Sequence, residues 1–473
     1  MTFTQLLTLV QESQDKIGVC SDSRQVTEGD VFVAVAGSNV DGHEYIGQAI
    51  EKGAGYVVAQ REPSTNGVPV VMVDDSAKAL GELAQARYGN PASRMTSLAV
   101  TGTNGKTTVA YIVRSIISCT PHKCGMIGTV QYDTTAREES ASLTTPDSLQ
   151  IARLTNEMVE NNARFMAIEA SSHALDQERL AGLKFTAAAF TNLSGDHLDY
   201  HESEEEYLAA KTKLFRNLPM HAVAVLNAGS PHARKIAAET KARVLWYGID
   251  RHADIIASIH KMDADGTTYG LHFNGHSQPI RTKLLGKHNV ANQLAAAGLC
   301  IAAGFDLNTV ARGIERLERI PGRLDPVESD KPFKVLVDYA HTDDALANVL
   351  ATLRPICEGE LTVVFGAGGD RDKTKRARMA KVAEEKADSI YVTSDNPRTE
   401  DPGQIIDDIL AGFADADKVT VEQDRKKAIE LAVKNAKAGD VVLIAGKGHE
   451  TYQVLGTERI DFDDREVAAA VMG

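Results

Sequence analysis

The stretch Leu98-Ala-Val-Thr-Gly-Thr-Asn-Gly-Lys-Thr-Thr108 decides how the rest of this chain is read. Leu98, Ala99 and Val100 close a buried strand, Gly102 and Gly105 permit a tight turn, and Val109 to Ile117 carry the apolar spacing of a helix. Strand, glycine turn and helix N-terminus aim unpaired N–H groups and the positive end of a helix dipole at one point, which suits phosphate. Lys106 adds a mobile positive charge, and the Thr107 hydroxyl can hold a magnesium ion. The common nucleotide loop is G-x-x-x-x-G-K-[ST]; Val100 stands where its first glycine would, leaving a short form of that loop. The order of strand, loop, Lys-Thr and helix favours a nucleoside triphosphate over a chance glycine turn, and specifies nothing further.

Outward from that loop, 473 residues exceed a single core, and domain-size priors suggest about three domains. A hydrophobic content of 43% with 25% charged residues describes a soluble globular chain. The net charge of −14 argues against nucleic-acid binding and requires locally placed cations for any polyanionic substrate. Cys20, Cys119, Cys124, Cys300 and Cys357 lack metal-type spacing and read as reduced thiols of a cytoplasmic protein. Neither a signal peptide nor a bilayer-length apolar run is apparent, so no membrane insertion is expected.

Residues 1–90 read as a small α/β unit, with strands at Val31–Ala36, Tyr56–Ala59 and Val70–Val73 and helices at His43–Lys52 and Asp75–Tyr88. Residues 91–321 repeat the pattern on a larger scale. Phe165 to Ile168 is an apolar run ending in Glu169, where such folds place a magnesium-holding carboxylate. Ala187 to Phe190 is another strand, and Ser203-Glu-Glu-Glu206 opens a helix that carries Lys211. Read by itself, Lys211 is an exposed helix lysine. His197 and His201 stand four apart, but the flanking Gly195-Asp196 suggests a loop and no His-Glu-x-x-His is present; the residues alone leave the metal open. Val244 to Gln278 is β-rich, and an Ala-rich helix spans Val290 to Ala303.

Residues 322–473 alternate strand and helix, which predicts a parallel, doubly wound, Rossmann-like sheet. Its strands run into Asp338-Tyr-Ala-His341, Gly366-Ala-Gly-Gly-Asp-Arg-Asp-Lys373, Thr393-Ser-Asp-Asn-Pro-Arg398 and Ala445-Gly-Lys-Gly-His-Glu450. Ligands bind at the carboxyl ends of strands in open α/β sheets, and four polar loops on one edge favour a site over mere turns.

Together, Gly102–Thr108, Glu169-Ala-Ser-Ser-His173, Asn192-Leu-Ser-Gly-Asp-His-Leu-Asp199 and Tyr207-x-x-Ala-Lys211 resemble the Mur ligases, ATP-dependent amide-forming enzymes of peptidoglycan precursor synthesis. The four C-terminal loops resemble those of the members that add the third peptide residue. The likeness covers all three domains and implies a UDP-binding domain, a central P-loop ATPase-like domain and a C-terminal amino-acid-binding domain. It implies addition of meso-diaminopimelate to UDP-N-acetylmuramoyl-L-alanyl-D-glutamate through an acyl phosphate, with ATP and Mg2+ and without nucleic acid, by a monomer.

The resemblance also assigns residues. Gly102, Thr103, Asn104, Gly105, Lys106, Thr107, Thr108, Asn289, Arg323 and Asp338 would hold ATP. Thr107, Glu169, His197 and Lys211, the last as a carbamate, would serve the metal, and Lys106, Glu169, His197 and Lys211 the chemistry. Ser21, Ser23, Ser38, Asn39 and Val40 match the uridine-nucleotide loops; Thr144, Thr145, Ser171, Gln177 and Arg179 match the muramoyl-dipeptide positions. Arg371, Asp395, Asn396, Pro397, Arg398, Gly446 and Glu450 match the diaminopimelate contacts. Arg398 argues against a lysine-adding enzyme, because a guanidinium pairs with a far carboxylate and repels a bare ammonium. Two departures stand out: Asp343 follows Ala340-His-Thr342 where the family usually has Pro, and the stretch after His201 is Glu-rich where the family often has Gly.

The alternatives are a lysine-adding ligase, a folylpolyglutamate synthetase, a nucleotide-hydrolysing switch or phosphotransferase, and a non-catalytic nucleotide-binding scaffold. A switch would turn over ATP independently of any amino acid.

Overall fold

A computed structural model describes all residues except 14, 38, 39, 66, 196–199, 251 and 416–418. The first sheet has four parallel strands in the order Val19–Cys20, Val31–Val33, Tyr56–Ala59, Val70–Met72. Alternate side chains face opposite ways, as a period of two requires. Val31, Val33, Val58 and Val71 pack with Leu6, Val10 and Leu83, while Phe32, Val57 and Ala59 pack with Ile46 and Ala49. The strand expected over Val31–Ala36 stops at Val33, and the helix expected from His43 begins as a tight turn, Gly42–Tyr45, before Ile46–Glu51. Asp41 causes that start: its Oδ1 accepts from the His43 backbone N–H at 3.0 Å.

The second sheet has 11 strands. Its interior is parallel: Lys123–Ile127, Ala163–Glu169, Thr96–Thr101, Ala187–Phe190, Val223–Asn227 and Arg243–Ile249, in that order, with Ile255–Asp263 parallel beyond them. Both rims are antiparallel: Gly266–Phe273 and His276–Thr282 on one side, Gln131–Asp133 and Glu138–Ser140 on the other. The β-rich stretch expected near 244–278 is thus the first rim. The second rim hairpin and the helices Ser148–Glu160 and Leu307–Arg316 were not apparent in the sequence pattern. Leu98 and Val100 face the helix Lys106–Ser118 through Val109, Ile112 and Ile116, whereas Ala99 and Ile168 face the opposite layer through Ile151, Leu154 and Phe215.

The third sheet runs Asp325–Val327, Lys334–Asp338, Val441–Ala445, Leu361–Phe365, Ser389–Val392, Val419–Val421, parallel except at its first pair. Helices cover both faces: Met379 and Ile409 lie in one core cluster, Ile429 and Ala468 in another. A hairpin, Tyr452–Leu455 with Glu458–Asp461, stands beside it. No helix among the described residues is long and apolar enough to cross a membrane. The five cysteines are unpaired, and burial raises the Cys124 thiol to about 12.

Candidate active site

The phosphate loop joins Thr96–Thr101 to Lys106–Ser118. Gly105 caps the helix at φ 89°, and a Cβ there would come within 2.2 Å of Asn292 Oδ1. Only glycine fits both constraints. The neighbouring strand end holds the loop open. Thr103 N donates to Asn192 O at 2.9 Å, Asn104 N to Asn192 Oδ1 at 2.9 Å, and Thr191 Oγ1 to Asn104 O at 2.6 Å.

Two ammonium groups meet at this loop. Lys106 Nζ donates to the carbonyls of Gly102 (2.9 Å) and Thr103 (2.8 Å), and Lys211 Nζ donates to the same Gly102 oxygen at 3.1 Å. Lys211 is not an exposed helix lysine. It is 1% exposed, and Tyr207, one helical turn earlier, lays its ring 4.1 Å from Nζ.

Beside the lysines, Thr107 Oγ1 donates to Glu169 Oε2 at 3.0 Å. Thr129 donates to the same carboxylate through its backbone N–H (2.9 Å, Oε1) and its hydroxyl (2.9 Å, Oε2). Thr129 had no motif to mark it. Among the described residues no group of three or more His, Cys, Asp or Glu could cage a metal. A hydroxyl and a carboxylate, both hard oxygens, nevertheless fit a magnesium ion, which takes few protein ligands and keeps waters and phosphate oxygens. His197, expected as a further ligand, lies outside the described residues, as do Ser38 and Asn39.

The third sheet closes over this loop. Arg323 Nη2 donates to Thr107 Oγ1 at 3.1 Å, and Asn104 Nδ2 donates to Asp344 Oδ2 at 3.0 Å. Asp338 does not line the cavity. Its oxygens accept from the backbone N–H groups of Leu324 (2.7 Å) and Ala340 (2.8 Å) and so hold Arg323 in place. Burial raises its pKa against the pull of Arg323. Asn289 also stays off the cavity; it donates to Leu285 O at 2.8 Å and accepts from Asn292, the residue against Gly105. Asp343, in place of the expected proline, opens the helix Asp343–Leu353 and accepts from Arg378 Nε at 3.1 Å. The Glu-rich stretch is the first turn of Glu204–Arg216, capped by Ser203.

One cavity of about 850 Å³ joins the two sheets. From the central unit it is lined by Lys106, Lys211, Thr144, Thr145, Ser171 and Arg179. Arg179 is clamped: Nη1 donates to Thr145 O at 2.8 Å and Nη2 to Gln177 Oε1 at 2.7 Å. Burial lowers its pKa. Gln177 is therefore a support for Arg179 and does not line the cavity. Thr144 Oγ1 lies 3.1 Å from Thr129 Oγ1, and Thr145 Oγ1 donates to Glu169 O at 2.6 Å.

From the C-terminal unit come Arg371, Asp395, Asn396, Arg398, Gly446 and Glu450. Arg398 has φ 52°, a left-handed conformation costly for a residue that bears a Cβ. The hairpin holds it there: Arg398 N donates to Val454 O at 3.1 Å, and Gly456 N donates to Arg398 O at 2.8 Å. Its Nη1 donates to Gly369 O at 2.7 Å. Gly446 has φ 115°, and a Cβ on it would come within 2.4 Å of Asp395 Oδ2. Burial works to raise the Asp395 pKa, but Lys447, Arg425 and His341 outweigh it and hold the group below its usual range. Pro397 does not line the cavity and only shapes the loop, its carbonyl accepting from Glu400 N at 3.1 Å.

Sequence reasoning missed the buried charges behind this pocket. Arg376, 1% exposed, donates to Glu400 (3.0 Å), Asp408 (2.8 Å) and Gly368 O (3.3 Å). Arg425 pairs with Asp464 at 2.7 Å and ties Ser394 O to Ala445 O, at or just beyond the ends of two strands that flank Leu361–Phe365. Among the described residues, none of the first unit lines the cavity. Ser23 is buried with its hydroxyl on Gln48 Oε1 at 2.5 Å, Ser21 is half-buried and Val40 is exposed.

Comparison with known proteins gives one answer along the chain. The Mur ligase family catalytic domain matches residues 17–88, the Mur ligase middle domain 100–300, and the Mur ligase glutamate ligase domain 322–448. A protein of Geobacillus kaustophilus named UDP-N-acetylmuramoyl-L-alanyl-D-glutamate–2,6-diaminopimelate ligase is 44% identical over 465 residues, covering 97% of this chain and 95% of its own. One of the same name from Aquifex aeolicus is 40% identical over 456 residues, covering 96% and 93%. A solved structure of a ligase with that name superposes with a TM-score of 0.68 at 34% identity, over 96% of this chain and 94% of that one. A Thermotoga maritima MurF ligase in complex with ADP shares the fold, with a TM-score of 0.65 at 19% identity over 92% and 95%.

Proposed function

The chain belongs to the Mur ligase family, and from that premise we propose that it joins meso-diaminopimelate to the D-glutamyl carboxylate of UDP-N-acetylmuramoyl-L-alanyl-D-glutamate while splitting ATP. The observation that carries this reading is one cavity lined by Lys106 and Lys211 from the central unit and by Arg398 and Glu450 from the C-terminal unit. A carboxylate is a poor electrophile. Attack of its oxygen on the γ-phosphorus, with ADP leaving, gives an acyl phosphate; the incoming amine then attacks its carbonyl carbon and inorganic phosphate leaves.

The first step brings two anions together. Lys106 supplies the opposing charge at the loop. Negative phosphate oxygens would take over the hydrogen bonds that Lys106 makes to the Gly102 and Thr103 carbonyls. Thr107 and Glu169, with His197, would hold magnesium, which when bound screens the phosphate charge. We assign Lys211 as the carbamylated lysine of the family: it is buried beside the phosphate loop, and a carbamate on its Nζ would add an anionic oxygen ligand for the metal. Arg323 reaches the nucleotide end from the C-terminal unit, so closure of that unit completes the phosphate site.

Thr144, Thr145, Ser171 and Arg179 would receive the muramoyl-dipeptide, and the loops around Ser21, Ser23 and Val40 the uridine nucleotide. Residues 1–90, 91–321 and 322–473 are then the substrate, ATP and amino-acid domains. The reaction runs in the cytoplasm, where ATP is supplied, and a monomer suffices because one chain lines the whole cavity.

Arg398 favours diaminopimelate over lysine, since its guanidinium pairs with a second carboxylate. A phosphate-release assay with each substrate omitted in turn tests the reading. Release is expected only with both the UDP-linked dipeptide and diaminopimelate present. Full turnover without the amino acid would instead indicate a nucleotide-hydrolysing switch.

A further inference from the structure

The strand ends at Ser394 and Ala445 enclose a cation that no role above uses. The side chain of Lys447 is 0% exposed. Its Nζ donates to Asn396 Oδ1 at 3.1 Å and to Glu450 Oε2 at 3.2 Å, and lies 5.4 Å from the Tyr452 ring centroid. Asn396 Oδ1 also accepts from Val454 N at 2.9 Å, while Asn396 Nδ2 donates to Glu450 Oε2 at 2.9 Å.

These bonds fix the amide one way round. Turned over, its NH2 would face an ammonium and a backbone N–H, both of them donors. They also divide the two oxygens of Glu450. Oε2 receives both donors, which leaves Oε1 for a ligand. Asp395 adds a second acid to the same wall, and Lys447 and Arg425 balance the pair. A buried carboxylate such as Asp395 keeps its charge only while cations oppose it.

We propose that Lys447 is a positioning residue that makes the amino-acid pocket demand a second amino group, by locking Asn396 and leaving one charged oxygen of Glu450 as the acceptor for it. The inference rests on the reading that Glu450 and Arg398 receive the far end of diaminopimelate. Without Lys447 the amide oxygen loses one of the two donors that hold it, and the two acids lose one of their counter-charges. The pocket then keeps Arg398 for the far carboxylate but reads the amine poorly.

The test compares kcat/KM for diaminopimelate with that for 2-aminopimelate, which keeps the far carboxylate and lacks the second amine. The unaltered enzyme is expected to prefer diaminopimelate by about a hundredfold or more, because the analogue leaves a buried charged acceptor unpaired. In Lys447→Met that preference falls by at least about tenfold, while KM for ATP stays within about twofold. A general loss of structure would lower both substrates alike and leave the ratio in place. Glu450→Gln separates the two levels of the argument. If it collapses the preference and Lys447→Met does not, the role of Lys447 is overturned and the pocket reading stands. If Glu450→Gln leaves the preference intact, the pocket reading fails as well. Should Lys447→Met not fold, a crystal structure of the unaltered protein with diaminopimelate decides. Nζ on Asn396 and Glu450, with Oε1 on the ligand amine, supports the proposal; Nζ turned onto the ligand itself overturns it.

Discussion

The two ends of the cavity are built in opposite ways. On the proposed reading the phosphate end is built around one contiguous loop, and the Lys106 ammonium rests on that loop's own carbonyls, Gly102 and Thr103. At the amino-acid end the ligand-facing side chains come from separate strand ends and are braced by buried ion pairs, Arg425 with Asp464 and Arg376 with Glu400. The difference follows from the ligands. A triphosphate tail is recognised by charge and main-chain N–H groups, which tolerate some movement. A small zwitterion must be measured at two ends, and that needs rigid side chains.

The comparison breaks most readily at the phosphate end. Lys106→Ala should lower kcat about a thousandfold in phosphate release, with a folded protein by circular dichroism, since it removes a charge used in the transition state. At the other end, Arg398→Ala should raise KM for diaminopimelate about a hundredfold and leave KM for ATP unchanged, as expected for truncating one partner of a carboxylate pair. Equal effects on both constants would remove the distinction between the ends. Asp464→Asn leaves a buried guanidinium without its partner and should cost about 3–5 kcal/mol in denaturant unfolding. The smallest effect concerns the seam between the units. Burial, with Arg323 adding to it, pushes His449 down to about 3. A histidine so depressed favours the folded state fully above the unfolded value near 6.5, and that contribution is lost as pH falls toward 3. Thermal midpoints should therefore decline between about pH 6.5 and 5, and His449→Gln should flatten that slope.

Legibility in the sequence follows the same divide. The phosphate loop could be read because its chemistry is local: two glycines, a lysine and a threonine within the short run Gly102 to Thr107. The parallel strands ending at Glu169, Asp338 and Ala445 could be read because each is a short apolar run closed by polar residues. Thr129 and Asn292 could not, because their role depends on approach from another element, against Glu169 and Gly105. Lys211 read as exposed because a helix lysine carries no mark of burial in its own spacing; Tyr207 one turn earlier supplied the context. Arg376 and Arg425 were lost among ordinary helix charges, since their partners lie 24 to 39 residues away in sequence. The rim hairpin at Gln131–Asp133 and Glu138–Ser140 was missed because such short, polar edge strands hold too few apolar residues to show a period.

The central claim is that one cavity lets a carboxylate oxygen attack ATP before the amine arrives. Oxygen-18 placed in the D-glutamyl carboxylate of the UDP-linked substrate tests it directly, by mass analysis of the phosphate released during turnover. An acyl phosphate requires one labelled oxygen in each phosphate formed. Phosphate carrying no label, at full product yield, would contradict it.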